Sequence, residues 1–200
     1  MIYTNDWVFI HIPKTSGINF KVNVRKLPEV TNPKHSYPVD SEIYTLWRQW
    51  QHQPISWWIT QGFCNENSQY ISIVRHPYSR IVSVYEHLDT VEKKYGEQFD
   101  RPDFDTFIRT DWLTMCMNKR KVDWKLSWPQ HRWFDGDYNV KVFKMETELP
   151  DMEDFTGYKF AHTNFNTRER PPWEDYYTDE LKEIVYTRYQ EDFIRYGYEQ

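Results

Sequence analysis

The sequence predicts an α/β protein with a central parallel sheet flanked by helices. Three apolar, β-prone runs, at residues 7–12, 70–74 and 140–145, predict the strands. Segments with helical spacing of apolar residues separate these runs, and strands that alternate with helices form parallel sheets. The 200 residues suit a single domain, 1–200, which is long enough to bury about 70% of its unfolded surface.

The elements between these strands follow from apolar spacing and turn residues. Residues 18–27 can form a helix after the first strand, and residues 41–51 can form another, with apolar side chains on one face. Residues 56–63 predict a short strand near the sheet. Pro77 suits the first turn of a helix, and apolar residues recur behind it at helical spacing: Ile81, Val82, Tyr85 and Leu88.

The second half of the chain predicts a loop and two helices, the last of which has an N-cap. Residues 92–105 are charged and interrupted by proline, which favours a loop, and residues 104–119 favour a helix. Thr178 predicts the N-cap of a last helix whose first turn is acidic, as the helix dipole favours. The apolar stripe of this helix comprises Leu181, Ile184, Val185 and Tyr189.

Composition excludes several classes of function. The net charge of −5 and the lack of a long basic run argue against nucleic-acid binding. Two cysteines, Cys64 and Cys116, are too few for a disulfide scaffold and do not have metal-site spacing. No apolar run is long enough to span a membrane, and no leader segment precedes the first strand. These observations predict a cytoplasmic protein that is not bound to membranes.

Residues 13–17 form a turn between the first strand and the helix that follows it. The turn reads Pro-Lys-Thr-Ser-Gly and places Lys14 and several backbone N–H groups at the start of a helix. N–H groups in this position, together with one cation, are what a bound phosphate requires. The turn indicates a phosphate site, and an ordinary strand-to-helix connection that contains a lysine is the alternative.

A second turn of this kind follows the second strand. Arg75 stands where that strand ends, and Ser83 lies about two turns into the next helix. Arginine can bind a phosphate through two parallel hydrogen bonds, which lysine cannot do. Ligands of open α/β sheets bind beyond the carboxyl ends of the strands, so we expect both turns at one edge. A surface ion pair is the alternative for Arg75.

These two turns resemble the cofactor motifs of sulfotransferases that use 3′-phosphoadenosine 5′-phosphosulfate (PAPS). Residues 9–17 resemble the loop that binds the 5′-phosphosulfate. Residues 73–83 resemble the 3′-phosphate motif, whose Arg, Pro, Arg and Ser match Arg75, Pro77, Arg80 and Ser83. Weaker similarity covers residues 128–130, 142–146 and 189–198, and the most similar branch contains the carbohydrate O-sulfotransferases.

The resemblance implies a P-loop-like, nucleotide-binding sulfotransferase fold, with PAPS as the sulfuryl donor and no metal. It implies that Lys14 is catalytic and stabilises the charge that develops on the leaving phosphate. It assigns the 5′-phosphate to Lys14, Thr15, Ser16, Gly17 and Asn19, and the 3′-phosphate to Arg75 and Ser83. Ile18 and Asn19 depart from the family pattern, because its members carry small hydroxyl residues there.

The acceptor hydroxyl requires a general base, most often a histidine or a glutamate. His52 and His35 lie between the two motifs, which is where the resembling enzymes often carry their base. A structural or exposed histidine is the alternative for each, and His11 in the first strand is expected to pack quietly. Aromatic residues make up 18% of the chain, which suits a sugar ring. The expected acceptor is therefore a small molecule or a glycan.

Two other functions stay open at this point. One is a nucleotide or small-molecule kinase with a degenerate phosphate loop, although the pattern Gly-x4-Gly-Lys-Ser/Thr is absent and Lys14 precedes the only glycine of its turn. The other is a non-catalytic nucleotide-binding relative, which Ile18 favours because its side chain cannot donate a hydrogen bond.

Overall fold

The computed structural model describes residues 2–24, 29–30, 52–95, 101–112, 124–159 and 171–200. These residues form an α/β structure with two compact units. The first unit comprises Met1–Val74 and Gln130–Thr167, and the second comprises Arg75–Pro129 and Arg168–Gln200. Each unit has its own cluster of buried apolar side chains. The assignment of residues 1–200 to one sulfotransferase domain stays a prediction.

The sheet belongs to the first unit, and in the described residues it has the order β1-β2-β3-β4. Its strands are β1 (Ile2–Tyr3), β2 (Val8–Ile10), β3 (Tyr70–Val74) and β4 (Val140–Lys144). The last three strands are parallel to one another, which confirms the three predicted strands. Strand β1 is antiparallel to β2, so the sheet is mixed and the expectation of a purely parallel sheet is wrong at this edge.

A tight turn explains the direction of β1. The backbone N–H of Thr4 donates to the carbonyl of Trp7 at 2.9 Å. The Thr4 hydroxyl oxygen accepts from the backbone N–H groups of Asp6 and Trp7, at 3.1 and 3.2 Å. A connection this short can join only antiparallel neighbours, because parallel strands require a long crossover. A strand of two residues is too short for its sequence pattern to reveal.

The helices of both units lie mostly where apolar spacing predicted them. In chain order they are α1 (Gly17–Val24), α2 (Ile55–Thr60), α3 (Pro77–Tyr95), α4 (Phe104–Arg109), α5 (Leu149–Thr156) and α6 (Asp179–Tyr196). Helices α1, α2 and α5 belong to the first unit, and α3, α4 and α6 belong to the second. Residues 41–51, predicted as a helix, lie outside the described residues.

Helix α2 occupies the segment that the sequence predicts as a strand, so that prediction is wrong. Its aromatic and β-branched residues favour strands in isolation. The carboxylate of Asp135 accepts hydrogen bonds from the backbone N–H of Ser56, at 3.1 Å, and from its hydroxyl. Trp58 is fully buried, and its indole N–H donates to the carbonyl of Gln53 at 3.1 Å. The contact with Asp135 spans 79 positions of the chain, so no local pattern could show it.

The core of the first unit packs the sheet against its helices. Phe9 and Phe20 have ring centroids 4.5 Å apart and join β2 to α1. Phe143 of β4 and Met152 of α5 are buried in the same cluster. Burial of apolar surface on this scale is the main term that stabilises such a fold. This core holds the carboxyl end of β2 and the start of α1 in fixed positions.

The second unit is helical, and its core lies between α3, α4 and α6. Buried residues of α3 confirm the predicted apolar stripe, and the helix begins at Pro77 as predicted. Helix α3 continues to Tyr95, so the loop expected from residue 92 is wrong for its first residues. The Arg109 guanidinium of α4 donates two hydrogen bonds of 2.7 Å to the carboxylate of Glu180 in α6.

Both ends of α6 have capping residues, and the one at its start was predicted from the sequence. The Thr178 hydroxyl oxygen accepts from the backbone N–H of Leu181 at 3.3 Å, which confirms the predicted N-cap. Gly197 ends the helix with φ of 60°, a left-handed conformation that glycine adopts readily. Leu181, Val185 and Tyr189 are buried as predicted. None of the helices in the described ranges has the length and hydropathy that crossing a membrane requires.

The cap of α6 gives a test of the second unit's stability. Thr178→Ala is expected to lower the free energy of unfolding by about 1 kcal/mol, because one backbone N–H loses its partner. Thr178→Ser keeps the hydroxyl and should retain most of the stability. Urea unfolding followed by tryptophan fluorescence measures both variants. Equal losses in the two variants would contradict a role of the hydroxyl as a cap.

Candidate functional site

The turn between β2 and α1 has the backbone shape of an anion cradle. Lys14 and Ser16 have φ of 68° and 65°, whereas Thr15 and Gly17 between and after them are not in the positive-φ region. Residues that alternate in this way turn successive N–H groups toward one side and form a concavity that binds anions. A left-handed conformation is costly for lysine and serine, and such strain concentrates at functional sites.

Thr15 holds this turn to the strand. Its side chain is fully buried, and its hydroxyl donates to the carbonyl of Ile12 at 2.9 Å. Because that hydroxyl proton is in use, Thr15 can donate to a phosphate only through its backbone N–H. Lys14 and Ser16 on either side are half-buried. The predicted 5′-phosphate residues 14–17 therefore lie in one turn, in which Thr15 could donate to a ligand only through its backbone N–H.

Gly17 is required by the ring of His11. A Cβ atom added at Gly17 would lie 2.1 Å from Cδ2 and 2.5 Å from Nε2 of His11, far inside van der Waals contact. His11 follows β2 and is only 3% exposed, so its ring has little room to move. The glycine therefore allows the start of α1 to approach the end of β2 closely.

His11 is a buried histidine that stays neutral. Burial lowers its pKa well below the usual range, and the positive charges of Lys21, His52 and Lys14 act in the same direction. Its Nδ1 atom has no hydrogen-bond partner within the described part of the chain. The sequence predicted quiet packing for this residue and missed its contacts with the turn.

His52 lies directly beside His11, although 41 positions separate them in the chain. The two ring centroids are 4.4 Å apart, and Nδ1 of His52 is 3.0 Å from the carbonyl oxygen of His11. Since a carbonyl can only accept, Nδ1 carries the hydrogen, and the lone pair of the neutral ring is on Nε2. The indole N–H of Trp133 donates to the carbonyl of His52 at 3.1 Å and fixes its backbone.

The two departures from the family pattern lie on the first turn of α1. Ile18 is 57% exposed, so its side chain extends into solvent and does not fill the turn. The side-chain oxygen of Asn19 accepts from the amide of Asn23 at 2.8 Å. A hydroxyl is missing at residue 18, but the backbone of the turn does not depend on that side chain.

The second turn, in the second unit, places its arginine against a serine that the sequence analysis missed. The Nε atom of Arg75 donates to the Ser79 hydroxyl at 2.9 Å, and both residues are buried. Ser83 is buried one helical turn further along α3. The spacing of four residues between Ser79 and Ser83 was the signal that could have revealed Ser79, because such residues share one helix face.

Arg80, the other arginine of this motif, has a structural role. It is 1% exposed, and its guanidinium donates to the carbonyls of Trp128, at 2.8 Å, and Leu126, at 3.4 Å. A buried guanidinium that satisfies two backbone carbonyls holds the short 3-10 helix Trp124–Ser127 and its end in place. Arg80 therefore supports α3 from within the second unit.

The structure does not bear on every predicted site residue. His35, the second candidate base, lies outside the described residues. Within the described ranges, no three His, Cys, Asp or Glu side chains are grouped so that they could hold a metal ion. Reaction without a metal stays a prediction.

The buried His11 gives a pH-dependent test of this site. The unfolded chain binds a proton at His11 below a pKa of about 6.5, whereas the folded chain does not. The free energy of unfolding should therefore decrease as the pH is lowered below about 6.5. His11→Asn is expected to flatten this slope by as much as about 1.4 kcal/mol per pH unit. Urea unfolding between pH 5.5 and 7.5 measures it. His131→Asn, at a partly exposed histidine, is the control, and equal slopes in both variants would contradict the neutral state of His11.

The candidate residues thus comprise a turn with alternating backbone conformation and a buried histidine pair in the first unit, and a buried arginine with two serines in the second unit. The chain matches no protein-family model, no curated protein and no solved structure.

Proposed function

We propose that the protein is a PAPS-dependent sulfotransferase that transfers a sulfuryl group to an acceptor hydroxyl, and that the acceptor is a carbohydrate. The observation that carries the proposal is the turn after β2, with its alternating backbone and its position at the start of α1. That turn has the chemistry expected of a phosphate site. The carbohydrate acceptor rests on the sequence resemblance and on the aromatic content of the chain.

The sheet of the first unit has the carboxyl ends of two neighbouring strands at one edge. Strands β2 and β3 are parallel neighbours, with Ile10 opposite Ser72, so their carboxyl ends lie at the same edge. The chain leaves β2 toward Lys14 and leaves β3 directly into Arg75. Open α/β sheets bind nucleotides beyond this edge. We assign the 5′ end of the nucleotide to the Lys14 turn and the 3′-phosphate to Arg75 and Ser83.

Bound PAPS would supply a sulfuryl group that is activated by its bond to a phosphate. Backbone N–H groups of residues 14–17 hold that phosphate, and the Lys14 ammonium stabilises the charge that grows on the departing oxygen. The acceptor oxygen forms a bond to sulfur while the bond between sulfur and the bridging phosphate oxygen breaks. The electron pair of the broken bond stays on that oxygen. The proton of the acceptor hydroxyl goes to a general base.

His52 is the base that the local geometry favours. Its Nδ1–H donates to the His11 carbonyl, which leaves Nε2 as the basic atom of the neutral ring. The same carbonyl stabilises the imidazolium that forms when Nε2 takes the proton. His52 is 8% exposed, and Trp133 holds its backbone, so the ring is positioned before a substrate binds.

The two alternative functions predict different ligands or different turnover. A kinase would bind ATP with magnesium. In the phosphate loop of such enzymes the lysine follows a glycine, whereas Lys14 precedes the glycine of its turn. A non-catalytic relative would bind the nucleotide without transferring sulfate, and it rests on Ile18. Ile18 cannot donate a hydrogen bond, but its side chain extends into solvent, and backbone N–H groups of the turn are the proposed phosphate donors.

Calorimetry separates these functions. The product nucleotide 3′-phosphoadenosine 5′-phosphate (PAP) is expected to bind at micromolar concentration without magnesium, and more tightly than ATP with magnesium. A preference for ATP would favour the kinase. PAP binding without sulfate transfer to any member of a broad glycan and phenol panel would favour the non-catalytic relative. Absence of PAP binding would contradict the proposal.

Two variants test the assigned roles. Lys14→Ala should lower kcat about 100-fold and change the Kd of PAP little, because the charge that lysine stabilises develops mainly in the transition state. Arg75→Ala should raise the Kd of PAP about 10- to 100-fold, because charged hydrogen bonds to the 3′-phosphate are lost. Sulfate release from PAPS and calorimetry measure the two effects.

Matched controls are Lys141→Ala, at an exposed lysine of β4, and Arg195→Ala, at an exposed arginine of α6. Both controls remove the same charge from an exposed side chain outside the two turns' sequences and should leave kcat and Kd unchanged. If Lys14→Ala and Arg75→Ala changed only the affinity for PAP, and by similar factors, the catalytic role of Lys14 would be wrong.

A further inference from the structure

Arg75 is held in one orientation by Ser79. Its Nε–H donates to the Ser79 hydroxyl oxygen at 2.9 Å, and the exposed fractions of Arg75 and Ser79 are 8% and 7%. The guanidinium is planar and carries its five N–H donors in a rigid fork. A hydrogen bond at Nε therefore sets the plane and direction of both terminal nitrogens.

The position of Ser79 on α3 suits this role. Helix α3 begins at Pro77, so Ser79 lies in its first turn, four residues after Arg75 and four residues before Ser83. Residues at this spacing lie above one another on one helix face. Ser79 and Ser83 thus share one face of α3, and the side chain of Arg75, which precedes the helix, contacts Ser79 at the positive end of the helix, where negative charge is stabilised.

We propose that Ser79 is a positioning residue that orients the Arg75 guanidinium and thereby selects nucleotides that carry a 3′-phosphate. This inference rests on the proposed function, because it assigns Arg75 to that phosphate. Ser79 itself does not need to touch the ligand. Its hydroxyl accepts from Nε, and the fork of Arg75 is then aligned for a bidentate contact with phosphate oxygens.

A merely structural role for Ser79 makes a different prediction. If the serine only satisfied a buried donor, its loss would lower the stability of the protein and weaken the binding of every nucleotide to the same extent. If the serine orients Arg75, its loss should weaken the binding only of ligands that carry a 3′-phosphate. The ratio of affinities for PAP and adenosine 5′-phosphate, which lacks that group, distinguishes the two roles.

The experiment is calorimetry of PAP and adenosine 5′-phosphate with the wild type and three variants. Ser79→Ala is expected to raise the Kd of PAP about 5-fold and to leave that of adenosine 5′-phosphate unchanged. Ser79→Thr keeps the hydroxyl and should restore the wild-type ratio. Ser83→Ala removes a hydroxyl from the same helix face but keeps the hydrogen bond at Nε of Arg75. This variant should raise the Kd of PAP and leave the orientation of Arg75 intact.

A ligand-free measurement makes the orientation itself testable. The Nε–H signal of Arg75, assigned in nitrogen-15 NMR spectra by its absence from Arg75→Lys, should be slow to exchange in the wild type and in Ser83→Ala. It should exchange quickly in Ser79→Ala. Equal exchange in Ser79→Ala and the wild type would overturn the proposal even if the affinity for PAP fell as expected.

The remaining outcomes separate this inference from the proposed function. A wild type that does not bind PAP overturns both. A wild type that binds PAP, with an unchanged ratio of affinities in Ser79→Ala, overturns the role of Ser79 alone. A Ser79→Ala variant that is unfolded by circular dichroism, while Ser79→Thr is folded, assigns the serine to stability and also overturns that role.

Discussion

The contact of His11 with its surroundings is the constraint on which the candidate site depends. Its ring lies against Gly17 at the start of α1, and its carbonyl accepts from Nδ1 of His52. One residue at the end of β2 therefore determines how closely the helix approaches the strand and which nitrogen of His52 is basic. The shape of the turn and the tautomer of the His52 ring are linked through this residue.

The neutral state of His11 fits the charge distribution around the turn. Lys14 and Lys21 lie near enough to lower the pKa of His11, and burial adds the largest contribution. A second imidazolium next to His52 would oppose proton uptake by Nε2. A buried, uncharged His11 therefore leaves Lys14 as the charged side chain of the turn and is compatible with the proposed role of His52 as the base.

Elements with a strong local signal could be predicted from the sequence, and elements set by distant contacts could not. The strands around Phe9 and Phe143 and the cap at Thr178 depend on patterns of neighbouring residues. Helix α2 depends on Asp135, and β1 is too short to carry a pattern. The strand predicted in place of α2 was wrong because the deciding contact is tertiary, whereas β1 escaped prediction because two residues carry no pattern.

The candidate site divides in the same way. Lys14 and Arg75 could be identified because turns after buried strands have recognisable residues. The positive φ of Lys14 and Ser16 could not, since both residue types disfavour that conformation. The contact between His11 and His52 joins residues 41 positions apart, and only folding brings them together. Thus residue identities were partly visible, and their geometry was not.

The close approach of Gly17 to His11 also limits how this protein can evolve. A single change at residue 17 to any larger amino acid meets the imidazole ring, so it is tolerated only if residue 11 shrinks as well. Shrinking residue 11 first opens a void in a tightly packed interior. Either order passes through a weakened intermediate sequence, so these two positions are expected to covary among homologues.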